Sequence, residues 1–252
     1  MGDIEDRIIR EKEFYNREAV ENRRASVSKF YSITRASRKY YEGILKANCL
    51  NKRVLDYGCG VGTFTIWLAK QGAIVTGIDI SDARIELAKR RAIEEGVSNA
   101  TFLVMDAENL EFDDDYFDIV CGGAILHHLN LSKALSEIAR VLKPGKMAVF
   151  IEPLGHNPFI NLYRRLTPSL RTRDEHPLVM KDLKLMRRYF GNVEVKYFHL
   201  FSLLAVPFRN SPIFQPLLNL TESIDRALLQ IPILQRQAWQ AVIVLSQPRK
   251  RE

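Results

Sequence analysis

Residues 53–70 read RVLDYGCGVGTFTIWLAK, and no other stretch restricts the fold as tightly. A short apolar run, Val54 and Leu55, leads through Asp56 to glycines 58, 60 and 62, after which the pattern turns helical. Buried strand, glycine turn, helix is the opening unit of a parallel α/β sheet. Alternate glycines permit positive φ and let backbone amides approach a ligand that any Cβ would push away. The helix opening near Thr63 adds N–H groups that lack intrahelical partners. Such a turn can hold a nucleotide-like ligand at the carboxyl end of a strand.

Spacing separates two cofactor classes. A dinucleotide fingerprint places its third glycine or alanine three residues after the second, a position filled here by Thr63. The third glycine instead stands at 62, and Asp56 lies two residues before the first. Residues 73–79 (AIVTGID) read as a second strand ending in Asp79, where an acid can accept hydrogen bonds from both ribose hydroxyls. A helix over 82–95 follows, closed by Gly96. The third strand, 101–105, runs into Asp106-Ala107-Glu108, and the fourth, 117–121, into GGAILHHL at 122–129. A helix over 131–142, a turn at Lys143-Pro144-Gly145 and a fifth strand over 146–152 complete the series. Five strand–helix units in sequence predict a doubly wound α/β fold with a parallel sheet.

Over residues 40–153 the Asp-x-Gly-x-Gly-x-Gly turn and the elements after it resemble the class I S-adenosylmethionine-dependent methyltransferases. The likeness is to the type 11 branch, typified by ubiquinone and menaquinone methylases and by natural-product O- and N-methyltransferases, which often carry Leu-His-His in this loop. It implies a Rossmann-like, mostly parallel seven-stranded sheet with an antiparallel edge hairpin, here residues 192–198 and 238–245. It also implies a lid of N-terminal helices (1–49), a cofactor core (50–153) and an acceptor-binding part with a helical insert (154–252), all in one domain. The implied cofactor is S-adenosyl-L-methionine, leaving as S-adenosyl-L-homocysteine. Its expected contacts are Asp56, Gly58, Cys59, Gly60, Gly62 and Thr63 in the turn, Asp79 and Ile80 at the ribose, Asp106 and Ala107 at the adenine, and Gly122 after the fourth strand.

Methyl transfer from a sulfonium is an in-line displacement, so positioning supplies much of the rate, roughly 7–11 kcal/mol. A base adds about 10²–10⁴-fold where the acceptor must lose a proton. His127 and His128 stand at the mouth of the sheet, and Glu152 ends the neighbouring strand. Histidine titrates near neutrality, and an acid behind it can orient and charge-stabilise the ring. The competing reading makes either histidine a structural hydrogen-bonding group. Acceptor contacts are expected from Tyr15 and Tyr31 on the lid, or these pack the lid on the sheet. Others are expected from His156, Asn157, Arg164 and His176 in the polar segment 154–183, which also carries Arg171, Arg173 and Asp174.

Composition sets the outer bounds. A net charge of +7 in 252 residues suits an anionic partner, yet the basic residues are scattered, and no Asn-Pro-Pro-Tyr type motif follows the fourth strand. No nucleic-acid partner is expected. Cys49, Cys59 and Cys121 lack metal-ligand spacing, so no metal is expected and a reducing compartment is. The charged start, Asp3, Glu5, Asp6 and Arg7, does not read as a signal peptide. The apolar patch 200–208 is too short to cross a bilayer. A cytoplasmic protein, monomer or homodimer, is expected, with peripheral membrane contact open. The proline-broken apolar stretch 200–235 lines an acceptor pocket, docks on a membrane or forms a dimer contact. The expected activity is O- or N-methylation of a small lipophilic metabolite, with a carboxylate or hydroxyl acceptor favoured. Two alternatives remain: a membrane-associated quinone or lipid methyltransferase, and a non-catalytic cofactor-binding protein.

Overall fold

Apolar strands alternating with half-apolar helices can bury both sheet faces only if the helices split between them. The structure, a computed structural model, describes residues 2–21, 28–168 and 175–250; Arg171, Arg173 and Asp174 lie outside them. In chain order the elements are α1 (Gly2–Glu21), α2 (Ser28–Tyr31), α3 (Arg35–Asn48), β1 (Arg53–Tyr57), α4 (Thr63–Lys70), β2 (Ile74–Asp79), α5 (Asp82–Glu94), β3 (Ala100–Val104) and β4 (Phe117–Gly123). There follow a 3₁₀ turn (Leu126–His128), α6 (Leu131–Val141), β5 (Leu142–Pro153), α7 (Pro158–Leu166), α8 (Met180–Met186) and β6 (Phe190–Phe198). A 3₁₀ segment (Ser202–Phe208), α9 (Phe214–Leu228), α10 (Pro232–Gln235) and β7 (Gln240–Pro248) end the chain.

The seven strands order as β3-β2-β1-β4-β5-β7-β6. All neighbours pair parallel except β7, which runs antiparallel to both β5 and β6. The mostly parallel sheet and its antiparallel edge match expectation. After β3 the chain crosses to the other side of β1 and continues as β4. Where the strand order reverses, the loops after β1 and β4 diverge and leave a crevice. Val54, Leu55, Tyr57, Val120, Cys121 and Phe150 are fully buried around this point, each large apolar side chain contributing about 1.5–3 kcal/mol by burial.

One local expectation gives way. Lys143-Pro144-Gly145 is not a turn before the fifth strand: β5 already starts at Leu142, paired with Phe117, and the turn residues are absorbed as a register shift with Gly145 at φ +71°. No helix joins β3 to β4. Instead the Arg140 guanidinium donates to the carbonyls of Leu110 (2.8 Å) and Phe112 (2.6 Å), satisfying backbone groups that a helix would otherwise pair among themselves.

Candidate active site

The glycine turn is fixed by β2. Gly58 has φ +76°, and a Cβ there would stand 2.7 Å from Cγ1 of Ile125, so glycine is required for close packing as well as for conformation. The Cys59 N–H donates to the Ile78 carbonyl at 2.8 Å. The Gly60 N–H donates to Oδ2 of Asp79 at 2.9 Å, while Oδ1 accepts from the Ser81 N–H at 2.9 Å. Asp79 is thereby locked at the strand end with lone pairs left for a diol. Asp56 accepts from Thr65 Oγ1 at 2.6 Å, and burial pushes its carboxyl up to about 6.

A cavity of about 790 Å³ opens at this crevice, within the usual range for a small-molecule site. Asp56, Gly58, Cys59, Thr63, Asp79, Ile80, Asp106 and Ala107 line one end, with His127, His128, Tyr15, Tyr31 and Arg164 also on its walls. Five expected contacts face elsewhere. Gly62 (φ +74°) packs on Ala88 and Phe102, and a Cβ on Gly122 would strike the Tyr57 carbonyl oxygen at 2.7 Å; both serve packing. His156 accepts the Met180 N–H at 3.2 Å, and Asn157 caps α7, its Oδ1 accepting from the Phe159 and Ile160 N–H groups. His176 is exposed and touches the site through its backbone, its N–H donating to the His127 carbonyl at 2.9 Å. Gly60 acts on the site through Asp79.

The two histidines part company. Ala124 takes a left-handed φ of +55°, rare for a residue with a Cβ, and the chain then folds into the 3₁₀ turn Leu126–His128. Nδ1 of His127 lies 2.7 Å from Oε2 of Glu152, whose Oε1 accepts the backbone N–H groups of Ile125 and Leu126 at 2.9 Å each. Glu152 is fully buried behind the cavity wall. Burial pushes its carboxyl up to about 7 against those donors, and burial pushes the His127 imidazolium well down, leaving the ring neutral. With Nδ1 committed to Glu152, the Nε2 lone pair of His127 faces the cavity. His128 is instead tied to the lid, its Nε2 lying 3.0 Å from Tyr15 Oη.

The N-terminal helix α1 lines the cavity with Arg7, Ile8, Glu11 and Tyr15. Arg7 pairs with Glu108 and donates to the His128 carbonyl at 2.6 Å. Asn16 bonds Asp82 (2.7 Å) and Ser81 (2.5 Å), Glu18 pairs with Arg84, and the Arg84 guanidinium lies 4.0 Å from the Tyr15 ring centre. Arg7, Glu11 and Glu18 stand at i, i+4 and i+11 on one helix, which in sequence is an ordinary solvated pattern, and Asn16, Arg84 and Glu108 carry no local signal of the site. Glu11 Oε2 and His128 Nδ1 lie 3.4 Å apart, while Oε1 of Glu11 and Oε2 of Glu108 are buried without hydrogen-bond partners. Orphaned polar atoms on a cavity wall are the places where a polar ligand is met.

Phe30, Ile160, Tyr163 and Trp239 form an apolar stretch of the cavity wall. Arg164 holds Glu175 at 2.8 Å, and that carboxylate lies 3.8 Å from Nε2 of His127. His127, His128 and Glu175 bring ligand-type atoms within 4.8 Å of one another. The Arg164 guanidinium already supplies the positive charge that a divalent ion would bring to Glu175.

Residues 54–145 match the family described as "Methyltransferase domain". The chain is 32% identical over 120 residues to the ubiquinone biosynthesis O-methyltransferase of Saccharophagus degradans, covering 47% of this chain and 50% of that protein. It is 40% identical over 96 residues to methyltransferase GfsG of Streptomyces halstedii, covering 37% and 34%. The matches thus span half or less of these relatives' own length. The phosphoethanolamine N-methyltransferase 2 of Haemonchus contortus, solved in complex with S-adenosyl-L-methionine, shares the fold: TM-score 0.62, 21% identity, covering 84% of this chain and 53% of that one. Residues 54–145 thus form a methyltransferase domain, and its strand order and glycine turn are those of the class I S-adenosylmethionine-dependent methyltransferases.

Proposed function

We propose that the protein transfers the methyl group of S-adenosyl-L-methionine to a hydroxyl or carboxylate oxygen of a small lipophilic metabolite, with His127 as general base. The observation that carries this reading is the His127–Glu152 pair, which aims a neutral imidazole nitrogen into the cavity between the glycine turn and the apolar wall. The relatives named as O-methyltransferases support oxygen as the acceptor.

Asp79 would accept from the ribose hydroxyls and Asp106 from the adenine amino group, while the Gly58 turn receives the methionine part. Bound there, the cofactor supplies an electrophilic methyl group. His127 takes the acceptor proton on Nε2, and Glu152, hydrogen-bonded to Nδ1–H, stabilises the resulting imidazolium. Arg164 and Glu175 flank the acceptor, and α1 excludes water from above. Calorimetric titration with S-adenosyl-L-methionine and S-adenosyl-L-homocysteine, followed by a turnover screen over hydroxylated and carboxylated lipophilic acceptors, tests the reading. Micromolar cofactor binding with product formation supports it; absence of cofactor binding removes it.

A further inference from the structure

Eighteen large apolar side chains are exposed among the described residues, and eleven of them fall between positions 159 and 233. The concentration is greatest on α7. Phe159, Leu162 and Leu166 are 74%, 56% and 73% exposed, and their i, i+3, i+7 spacing makes them one stripe along the helix. Ile160, Tyr163 and Arg164 form a second stripe, which lines the cavity. A surface helix ordinarily turns its polar face to water. α7 turns apolar side chains both inward and outward, so it separates the acceptor end of the cavity from an outer surface that is itself apolar.

That surface extends beyond one helix. Ile160 belongs to a buried cluster with Ala205, Val206, Phe214 and Leu218, which binds α7, the 3₁₀ segment Ser202–Phe208 and α9 together. Around this cluster Phe201, Leu204, Phe208, Leu220 and Ile224 point outward. Exposed apolar side chains gathered around one packed cluster mark an interaction surface. Its charge says which kind. Between 200 and 238 the acids are Glu222, engaged with Arg35, and Asp225, buried and accepting the N–H groups of Leu200, Phe201 and Ser202. The exposed charges left are Arg209, Arg226 and Arg236, joined on α7 by Arg165. An apolar face whose exposed charges are all positive complements an anionic lipid surface.

We propose that this face docks on an anionic bilayer, with Phe159, Leu162 and Leu166 inserted among the acyl chains, so that the acceptor enters past α7 directly from the lipid. The docking is interfacial: no described helix is long and apolar enough to cross a membrane. The inference deepens the proposed function, resting on its lipophilic acceptor, and assigns that acceptor to the class of bilayer-partitioned molecules.

Vesicle co-sedimentation tests it, comparing phosphatidylcholine alone with mixtures containing about one-third phosphatidylglycerol. The expected results are preferential binding to the anionic vesicles and a loss of at least about tenfold when Phe159, Leu162 and Leu166 are all replaced by serine. Substituting Arg165→Glu, Arg209→Glu and Arg236→Glu together should weaken binding further, each site by about fivefold. All six side chains are exposed, and a thermal melt confirms that the variants fold. Equal binding of wild type and the serine variant, or no binding by wild type, overturns the proposal. So does concentration-dependent dimerisation in sedimentation velocity that the serine variant abolishes, which would make the face a contact between copies. Cofactor calorimetry in vesicle-free buffer separates the two claims: cofactor binding without vesicle binding removes the docking and leaves the methyltransferase reading standing.

Discussion

Oε2 of Glu152 lies 2.7 Å from Nδ1 of His127, and the next residue, His128, turns to Tyr15 on the lid instead. Adjacent histidines with ring centres only 4.2 Å apart therefore have different partners, one on the sheet and one on α1.

His127→Ala should lower kcat by about 10²–10⁴-fold, the usual share of a general base, with cofactor affinity little changed. The proposed mechanism requires the Glu152 carboxylate and a proton-free Nε2, and burial places the Glu152 carboxyl at about 7. Activity should fall as pH drops through about 7, because the pair then takes up a proton. Glu152→Gln should lower kcat and abolish that acid limb. A pH–rate profile that keeps the limb in Glu152→Gln would assign it to another group.

Asp56 offers a stability test. Its folded-state value, about 6, lies above the ordinary carboxylate value of 3.8, so the folded protein holds the proton more tightly than the unfolded chain. The stabilisation from this group is present at pH 4 and is lost as pH rises through 6, at most about 3 kcal/mol. Asp56→Asn removes that dependence. The difference between wild-type and variant melting temperatures should grow between pH 4 and 6.5 in favour of the variant; a constant difference would place the charge elsewhere.

Arg7→Ala removes the cation from Glu108 and frees the carbonyl of His128. A buried carboxylate left unpaired costs about 1–3 kcal/mol or more, and the closed lid carries that cost. Stopped-flow measurements should show faster cofactor release, with the affinity reduced about tenfold. Unchanged release would mean that α1 is held by Asn16 and Glu18 alone.

Chelation should leave turnover unchanged, because Arg164 already neutralises Glu175. Activity that disappears with a chelator and returns with a divalent ion would instead make ligands of His127, His128 and Glu175.

Local chemistry, which acts between residues close in sequence, was readable in the chain. The spacing of Asp56, Gly58, Gly60 and Gly62, the acid ending each of β2 and β5, and the apolar runs between them follow from φ freedom and burial. They foretold the sheet, and the structure brings the glycine turn, His127 and His128 to the same cavity, with Glu152 behind its wall. What the linear order could not carry was orientation. Nothing in His-His says which ring meets Glu152, since that depends on the left-handed Ala124 and on β4 and β5 pairing side by side. His156, Asn157 and His176 look like ligands in sequence and are tied into caps and backbone contacts in space. Arg7, Glu11 and Glu108 look like solvated charges and lie around the cavity. The two faces of α7 are likewise a tertiary property: helical periodicity defines the stripes, but it is the packing of one stripe on the cavity that leaves the second exposed among the described residues.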